Sequence, residues 1–417
     1  MHIKLVLCLV SRQWSMLSRP YLYEFVWIRR ASQAKLLVRT LTQEGVRNCE
    51  SSGKYIRRLH IETPTLERCC PADLRAILDH ASQLSVFSDH HSVQHNQTDI
   101  TYSHRCSPEE ILKLVAHPKI RRLHWTSYDD VPFQLRMHPF THNLATRLEY
   151  LELSSYSSNS VSIGAEFIAH SAANRIDMNV HLPSLRALKV SLDNNMFSAL
   201  ASWNMPLLTH LSVLSSDFSY TGAGFSLFFQ EHGIKLRQLE LGHSSSSIEE
   251  YYLTTPRHVL RMQQNQQSPR PVPLADWCPN LREFICSADA EWHWQSPDWI
   301  APHILLPAHP RVELIGIRDI DKRLREDAPF TGADFDTPYF SLFEQMSSLL
   351  RTDAFPNLRF VRDLSVESHR MRTARPAVRV VQFWTNVVAR CRERAIWLED
   401  CFGVNITLRN LRQAALL

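Results

Sequence analysis

A single phrase that returns along the chain constrains the fold more than any other feature. Leu182-Pro183-Ser184-Leu185-Arg186-Ala187-Leu188-Lys189-Val190 is answered by Met205-Pro206-Leu207-Leu208-Thr209-His210-Leu211-Ser212-Val213. In each copy a Pro precedes the pattern L-x-x-L-x-V. Its last two apolar residues alternate with a polar one, the mark of a strand with one buried face. A strand signature that recurs every few tens of residues points to a repeat architecture.

Further copies begin at Ile56, Ile120, Leu148, Leu236, Leu281 and Val312, with partial ones at Leu84 and Leu358. Successive first positions lie 23 to 46 residues apart. A leucine-rich repeat takes roughly 20–29 residues, so the long steps imply insertions. Pro118, Pro183, Pro206, Pro279, Pro310 and Pro356 each stand just ahead of a copy. A turn feeding a strand suits Pro, which has no N–H to give a ladder. Helical patterns between the phrases imply parallel strands, since parallel neighbours need a crossover. The expected fold is therefore α/β, an irregular leucine-rich-repeat solenoid over residues 31–417. Its strands line the concave face, its helices lie outside, and insertions fall near 243–275 and 319–338.

Charge narrows the function classes. The formal net charge of +4 comes from Lys and Arg interspersed with Asp and Glu, which argues against nucleic acid as a partner. No apolar run approaches the roughly 20 residues of a membrane span, so no membrane is expected. Nine scattered cysteines, an odd number, argue against a disulfide framework and for a reducing compartment, cytoplasmic or nuclear.

Residues 3–19 read as a helix with Val6, Leu9, Val10, Trp14 and Leu17 on one face, ended by Pro20. Tyr21 to Ile28 is aromatic and β-branched and reads as a strand. Ser32 to Leu41 reads as a helix with Ser32 as N-cap and Gly45 beyond its end. Helices are also expected over 71–84, after Ser107-Pro108-Glu109-Glu110, and finally over 376–390. In the last, Val378, Val381, Trp384 and Val388 are the candidate buried positions. Ser154 to Ser162, and the polar, Pro-rich stretch Gln263 to Pro273, read as loops.

Cys8-Leu9-Val10-Ser11-Arg12-Gln13-Trp14, then Leu17, Pro20, Leu22 and Tyr23, then Arg29-Arg30-Ala31-Ser32-Gln33, resembles the second half of an F-box as found in fungal F-box proteins. Those proteins continue into irregular leucine-rich repeats. The resemblance implies a partial F-box over residues 1–30, with the Leu-Pro-containing helix that opens such a box placed upstream of this match. It also implies docking to the F-box-binding adaptor of a cullin ligase through Leu9, Val10, Trp14 and Leu17.

Other constellations are weaker. His90, His91 and His95 sit in a polar stretch without amphipathic pattern, and no Glu follows His91 as H-E-x-x-H requires, so a solvated loop is favoured over zinc. Gly222 and Gly224 supply two glycines of a dinucleotide loop but not the third. Cys69-Cys70 precedes a helix, and a structural role is favoured over a reactive thiolate. Trp292, His293, Trp294 and Trp299 fall in an insertion, either as a partner anchor or folded back and buried, with burial favoured slightly.

The alternation of the strands selects the remaining candidates. If Leu59 and Ile61 face inward, Arg58 and His60 face outward, and so do Arg122, His124, Tyr150, Glu152, Lys189, His210, Gln238, Glu240 and Arg318. Such a polar surface is the usual binding face of a solenoid. No catalytic residue, metal ligand or cofactor is expected. The expected function is substrate recognition within a cullin–RING ubiquitin ligase, with an unknown protein target on the repeats. The alternative is a leucine-rich-repeat interaction scaffold without a ligase partner.

Overall fold

The structure, a computed structural model, describes residues 6, 9–46, 51–63, 69–90, 119–127, 146–155, 180–191, 194–213, 223–242, 274–288, 293–296, 299–301, 305–326 and 339–415. The chain divides into two compact units, the first comprising residues 1–192 and 202–207, the second 193–201 and 208–417.

In the first unit the strands are β1 (Phe25–Ile28), β2 (Arg58–Glu62), β3 (Val86–His90), β4 (Arg122–Ser127), β5 (Tyr150–Ser155) and β6 (Ala187–Ser191). They pair in sequence order, and every pairing is parallel. The helices here are α1 (Arg12–Tyr23), α2 (Ala31–Val46) and α3 (Pro71–His80). The second unit holds α4 (Asn194–Ala201), β7 (His210–Val213), α5 (Ala223–His232), β8 (Gln238–Leu241), α6 (Leu274–Trp277), β9 (Glu283–Ser287), β10 (His293–Ser296), β11 (Trp299–Ala301) and β12 (Leu314–Arg318). It continues through α7 (Ile320–Glu326), α8 (Phe340–Ser348), β13 (Phe360–Asp363), α9 (Val366–Thr373), α10 (Val378–Glu393), β14 (Trp397–Glu399) and α11 (Leu408–Ala415). Its parallel order is β7-β8-β9-β12-β13-β14, while β10 and β11 form a separate antiparallel hairpin.

The repeated phrase explains these sheets. Its first apolar residue is buried in every copy, from Ile56 to Leu358. The second residues form inward ladders: Leu59, Phe87, Leu123, Leu151 and Leu188 are in register, and so are Leu211, Leu239, Phe284, Ile315, Val361 and Leu398. All of them are buried. One backbone device recurs at the entry to the strands. The N–H groups of Arg57 and Arg58 both donate to the Glu24 carbonyl, those of Ser85 and Val86 to Arg57, and those of Arg282 and Glu283 to Arg237. The turn ahead of the phrase is also tied to the preceding repeat. Ser184 Oγ donates to the Thr146 carbonyl at 2.7 Å, Asn280 Nδ2 to Ile234 at 2.8 Å and Asn357 Nδ2 to Pro310 at 2.6 Å. Each of these three residues follows the phrase's Pro, so the Pro-x-Leu spacing is the sequence trace of a cross-repeat hydrogen bond.

Glycine appears where neighbouring repeats touch. A Cβ on Gly53 would lie 2.5 Å from the His80 carbonyl oxygen, and one on Gly233 would lie 2.5 Å from that of Trp277. Both glycines stand three residues ahead of the phrase, and both meet the last residue of the following helix.

Several local expectations are corrected. The helix expected over 3–19 is interrupted at Ser11, which is extended and accepts from the Trp14 N–H at 3.1 Å. The helix starting there runs through Pro20 to Tyr23, so Tyr21 to Tyr23 are helical and the strand begins only at Phe25. Pro20 removes just its own N–H, while its carbonyl still accepts from Glu24 at 3.0 Å. The second helix begins at Ala31 and contains both Ser32 and Gly45. Its start is held by Gln33, whose side-chain oxygen accepts from the N–H of Arg29 and of Arg30 at 2.8 and 3.3 Å. The helix expected over 71–84 stops at His80, where Ala81 caps it.

Ser154 and Ser155 belong to β5, and the stretch around Gly224 is helix α5 rather than a phosphate loop. The charged stretch from Asp319 holds α7. In α10 the buried set is Val380, Phe383, Trp384, Val387, Val388 and Cys391, whereas Val378 is exposed. That helix is not the last element, because β14 and α11 follow it. His91, His95, Trp292, the helix after Ser107 and the stretch 263–273 lie outside the described residues.

Candidate interaction surface

The outward side of the first sheet carries two rows of side chains at fixed register. One row runs Phe25, Arg58, Val86, Arg122, Tyr150, Ala187, and the next runs Trp27, His60, Ser88, His124, Glu152, Lys189. The second row is connected almost throughout. Trp27 meets the His60 ring edge-on at 5.7 Å, and His60 Nε2 lies 3.6 Å from a Glu62 carboxylate oxygen. Ser88 Oγ is 3.3 Å from His124 Nδ1, and His124 Nε2 is 3.3 Å from Glu152. Lys189 Nζ reaches the same Glu152 oxygen at 2.7 Å, and Tyr150 donates its hydroxyl to the other at 2.7 Å.

Glu152 is the hub of this row. Burial works to raise its pKa, but the hydrogen bonds from Lys189 and Tyr150 and the charges of His124 and Lys189 outweigh that effect. The carboxyl is held below its ordinary value and stays ionised. Tyr150, fixed through its hydroxyl, carries the Arg122 guanidinium over its ring at 4.8 Å. At the strand-β1 edge Arg29 stacks on Trp27 at 3.9 Å.

The outward side of the second sheet is arranged differently. Its rows are His210, Gln238, Glu283, Leu314, Phe360, Trp397 and Ser212, Glu240, Ile285, Gly316, Arg362, Glu399. Glu240 is buried, accepts from Ser212 Oγ at 2.7 Å and is bonded by Arg318. Arg362 donates to Glu399 at 2.8 and 2.6 Å. His210 is exposed, with Nδ1 2.8 Å from Thr209 Oγ1, and Gln238 is half-buried.

The outward residues selected from the sequence thus divide between the two units: Arg58, His60, Arg122, His124, Tyr150, Glu152 and Lys189 in the first, His210, Gln238, Glu240 and Arg318 in the second. The sequence reading passed over Phe25, Trp27, Ser88, Ser212, Arg362 and Glu399. Phe25 and Trp27 were hidden by placing the strand start too early, and Glu399 by not counting Ile396-x-Leu398 as a further phrase.

At the N-terminal end, Leu9 is 83% exposed, Val10 60%, Trp14 48% and Leu17 61%. Within α1, Trp14, Leu17 and Tyr21 follow i, i+3, i+7 spacing, one face of a helix, and Val10 lies just ahead of its Ser11 cap. Helix α1 buries Ser18 instead, whose Oγ donates to the Trp14 carbonyl at 2.7 Å. On its inner side Arg19 lies 3.8 Å from Glu44, which in turn accepts from the N–H and hydroxyl of Ser52 at 2.7 and 2.9 Å. The helix is therefore seated through Ser18 and Arg19, with Leu22 and Tyr23 half-buried at its end, and turns Trp14, Met16, Leu17 and Tyr21 to solvent.

Among the described residues, no group of three or more His, Cys, Asp and Glu is placed to hold a metal ion, and no helix is long and apolar enough to cross a membrane. Cys69, Cys70, Cys278, Cys286, Cys391 and Cys401 are free thiols, and burial pushes Cys278, Cys286 and Cys391 up to about 12. Trp294 and Trp299 lie on the β10–β11 hairpin.

No known family model matches the chain, and no curated protein does. Among solved structures it is similar to a Bacteroides fragilis protein determined as a structural-genomics target. The identity is 10%, the match covers 89% of this chain and 75% of that one, and the TM-score is 0.31, too low to carry an argument.

Proposed function

We propose that this chain is the substrate-recognition subunit of a cullin–RING ubiquitin ligase of the F-box type. Its strands belong to an irregular leucine-rich-repeat solenoid, and the outward face of those strands holds a protein target. Helix α1 supplies part of the adaptor-docking surface. One observation carries the reading: helix α1 buries Ser18 and presents Trp14 and Leu17 outward, with Val10 exposed just ahead of it, next to a sheet built from repeated strands. An exposed apolar stripe is costly and tends to mark an interface. The F-box-like order of residues 8–33 says which interface it is.

The test is retention of purified F-box-binding adaptor on immobilised protein. Residues 1–417 are expected to retain it weakly, and a chain given a Leu-Pro-containing helix ahead of Met1 is expected to retain it firmly. Trp14→Ala in the longer chain is expected to abolish retention. If the longer chain retains no adaptor, the ligase reading falls and a repeat scaffold without a ligase partner takes its place.

A further inference from the structure

Ion pairing divides the outward arginines into two kinds. In the second unit Arg318 is bonded to Glu240 and Arg362 to Glu399. In the first unit the acids are already engaged: Glu152 by Lys189 and His124, Glu62 by His60, Glu149 by Arg121. Among the described residues Arg58 and Arg122 face outward with no acid within ion-pair distance. Arg122 is nevertheless ordered, because its guanidinium lies on the Tyr150 ring and that ring is held by the bond to Glu152. Two surplus guanidinium groups therefore stand in one row, with Val86 between them and Phe25 and Tyr150 on either side.

We infer that this row binds an acidic, proline-rich segment of a partner protein in the polyproline II conformation, with carboxylates at positions i and i+3. The inference rests on the target-holding half of the function proposed above. Three properties of the row select this occupant. The spacing is the first. Arg58 and Arg122 are two strands apart, about 9.6 Å, and a polyproline II helix repeats every three residues at about 3.1 Å rise each, about 9.3 Å. A β-strand would turn side chains i and i+3 to opposite faces, and its same-face spacing of about 6.8 Å does not match.

The second property is the pair of aromatic rings that flank the cations, since proline-rich segments dock on aromatic-lined surfaces at low ordering cost. The third is the discreteness of the charge: Val86 separates the two guanidinium groups, and Lys189 in the neighbouring row is already bonded to Glu152. Two spaced cations match two discrete carboxylates rather than a continuous phosphate backbone, so a protein segment is favoured over RNA.

Fluorescence anisotropy with a labelled (Glu-Pro-Pro)4 peptide tests this on the full chain at low ionic strength. Binding is expected to weaken roughly thirtyfold in the Arg58→Ala, Arg122→Ala double variant, the loss of two exposed charge pairs at their upper range. It is also expected to fall as salt shortens the screening length. Arg390→Ala is expected to change nothing, because that arginine lies on helix α10, away from the strands, and is bonded to Glu393.

A peptide of the same composition with its glutamates adjacent is expected to bind more weakly. The Arg58→Glu, Arg122→Glu variant is expected to lose (Glu-Pro-Pro)4 and gain (Lys-Pro-Pro)4, a reversal that misfolding cannot produce. Equal binding of both glutamate spacings, tighter binding of a single-stranded RNA oligomer, or no binding of (Glu-Pro-Pro)4 would overturn the inference. The outcome is separable from that of the ligase reading. Adaptor retention without peptide binding removes only the present inference, and peptide binding without adaptor retention removes only the ligase.

Discussion

Arg372→Met is expected to destabilise the second unit far more than its size suggests. Strand β13 places Asp363 inward, in register with Ile317, at a position that other repeats fill with Val213, Leu241 or Cys286. Asp363 is 0% exposed and Arg372 3%. Arg372 Nη1 bonds the carboxylate and lies 3.2 Å from Ser368 Oγ, and its guanidinium sits 4.5 Å from the Trp384 ring centroid. The Ser365 N–H donates to Asp363 at 3.0 Å. Removing the arginine keeps the Ser365 bond but leaves a carboxylate in the core without its counter-charge. Breaking a buried pair from one side costs about 3–5 kcal/mol.

Replacing both partners, Asp363→Val with Arg372→Met, restores the apolar position of the other repeats. That double variant is expected to lie within about 1 kcal/mol of the parent, since hydrophobic replacement of a buried pair is often neutral or better. With each single variant costing about 3–5 kcal/mol and the double about 1 kcal/mol, a double-mutant cycle by urea unfolding would read a coupling of about 5 kcal/mol or more. Burial already works to raise the Asp363 pKa against the pull of Arg372. In Arg372→Met that opposition is gone, so the carboxyl is protonated more readily in the fold and the destabilisation shrinks as pH falls. An Arg372→Met penalty under about 1 kcal/mol, or a double variant as unstable as the summed singles, would refute the reasoning.

Four further outcomes are expected. Glu152 has a depressed folded pKa, so its contribution is present above its unfolded value and lost as pH falls through the folded one; Glu152→Gln should therefore flatten the acid limb of a stability–pH curve below about pH 4.3. His232 is 1% exposed, and burial together with Lys235 lowers its pKa to about 4, so it is neutral in the fold and opposes protonation. Stability should fall by up to about 3 kcal/mol as pH drops from about 6.5 to about 4, and His232→Gln should remove that slope in calorimetry. Gly53→Ala drives a Cβ to 2.5 Å from the His80 carbonyl and should cost about 1–3 kcal/mol in chemical unfolding. Ala395 is exposed with φ of 54°, so Ala395→Gly should stabilise by about 1 kcal/mol and raise the melting temperature.

The order of the strands was legible because one buried ladder repeats one short phrase. Leu188 and Leu239 could be assigned inward from sequence alone, and both are buried. What failed was local. Pro20 reads as a stop signal, yet the helix loses only one N–H there and continues, with the Pro20 carbonyl accepting from Glu24. Ser32 has the right chemistry for an N-cap, but Gln33 reaches back and closes the helix start first. Asp363 broke the pattern in the other direction. A charge at an inward position reads as an error until Arg372, distant from it in the phrase, is brought beside it by α9.

The candidate surface was half legible for a related reason. Alternation assigns a side chain to a face, but it does not say which charges on that face cancel. Arg58 and Arg318 have the same standing in the sequence, since both are cations at outward strand positions. Register separates them. Ser212 and Arg318 converge on Glu240, whereas Glu152, on the strand next to that of Arg122, is already taken by Lys189 on the strand beyond. Whether an arginine is available to a partner is thus settled by a residue one or two strands away, about 4.8 or 9.6 Å distant but far removed in sequence, 78 residues for Arg318 and Glu240. Surplus charge is a property of the ladder rather than of the repeat, and for that reason substitution at Lys189 should reach Arg122 through Glu152 and Tyr150. Lys189→Met would leave Glu152 free to draw on Arg122, so the (Glu-Pro-Pro)4 peptide should bind this variant more weakly although Lys189 itself never touches the row. Unchanged peptide affinity in Lys189→Met would mean that the cations of the first sheet act independently and that the ladder argument is wrong.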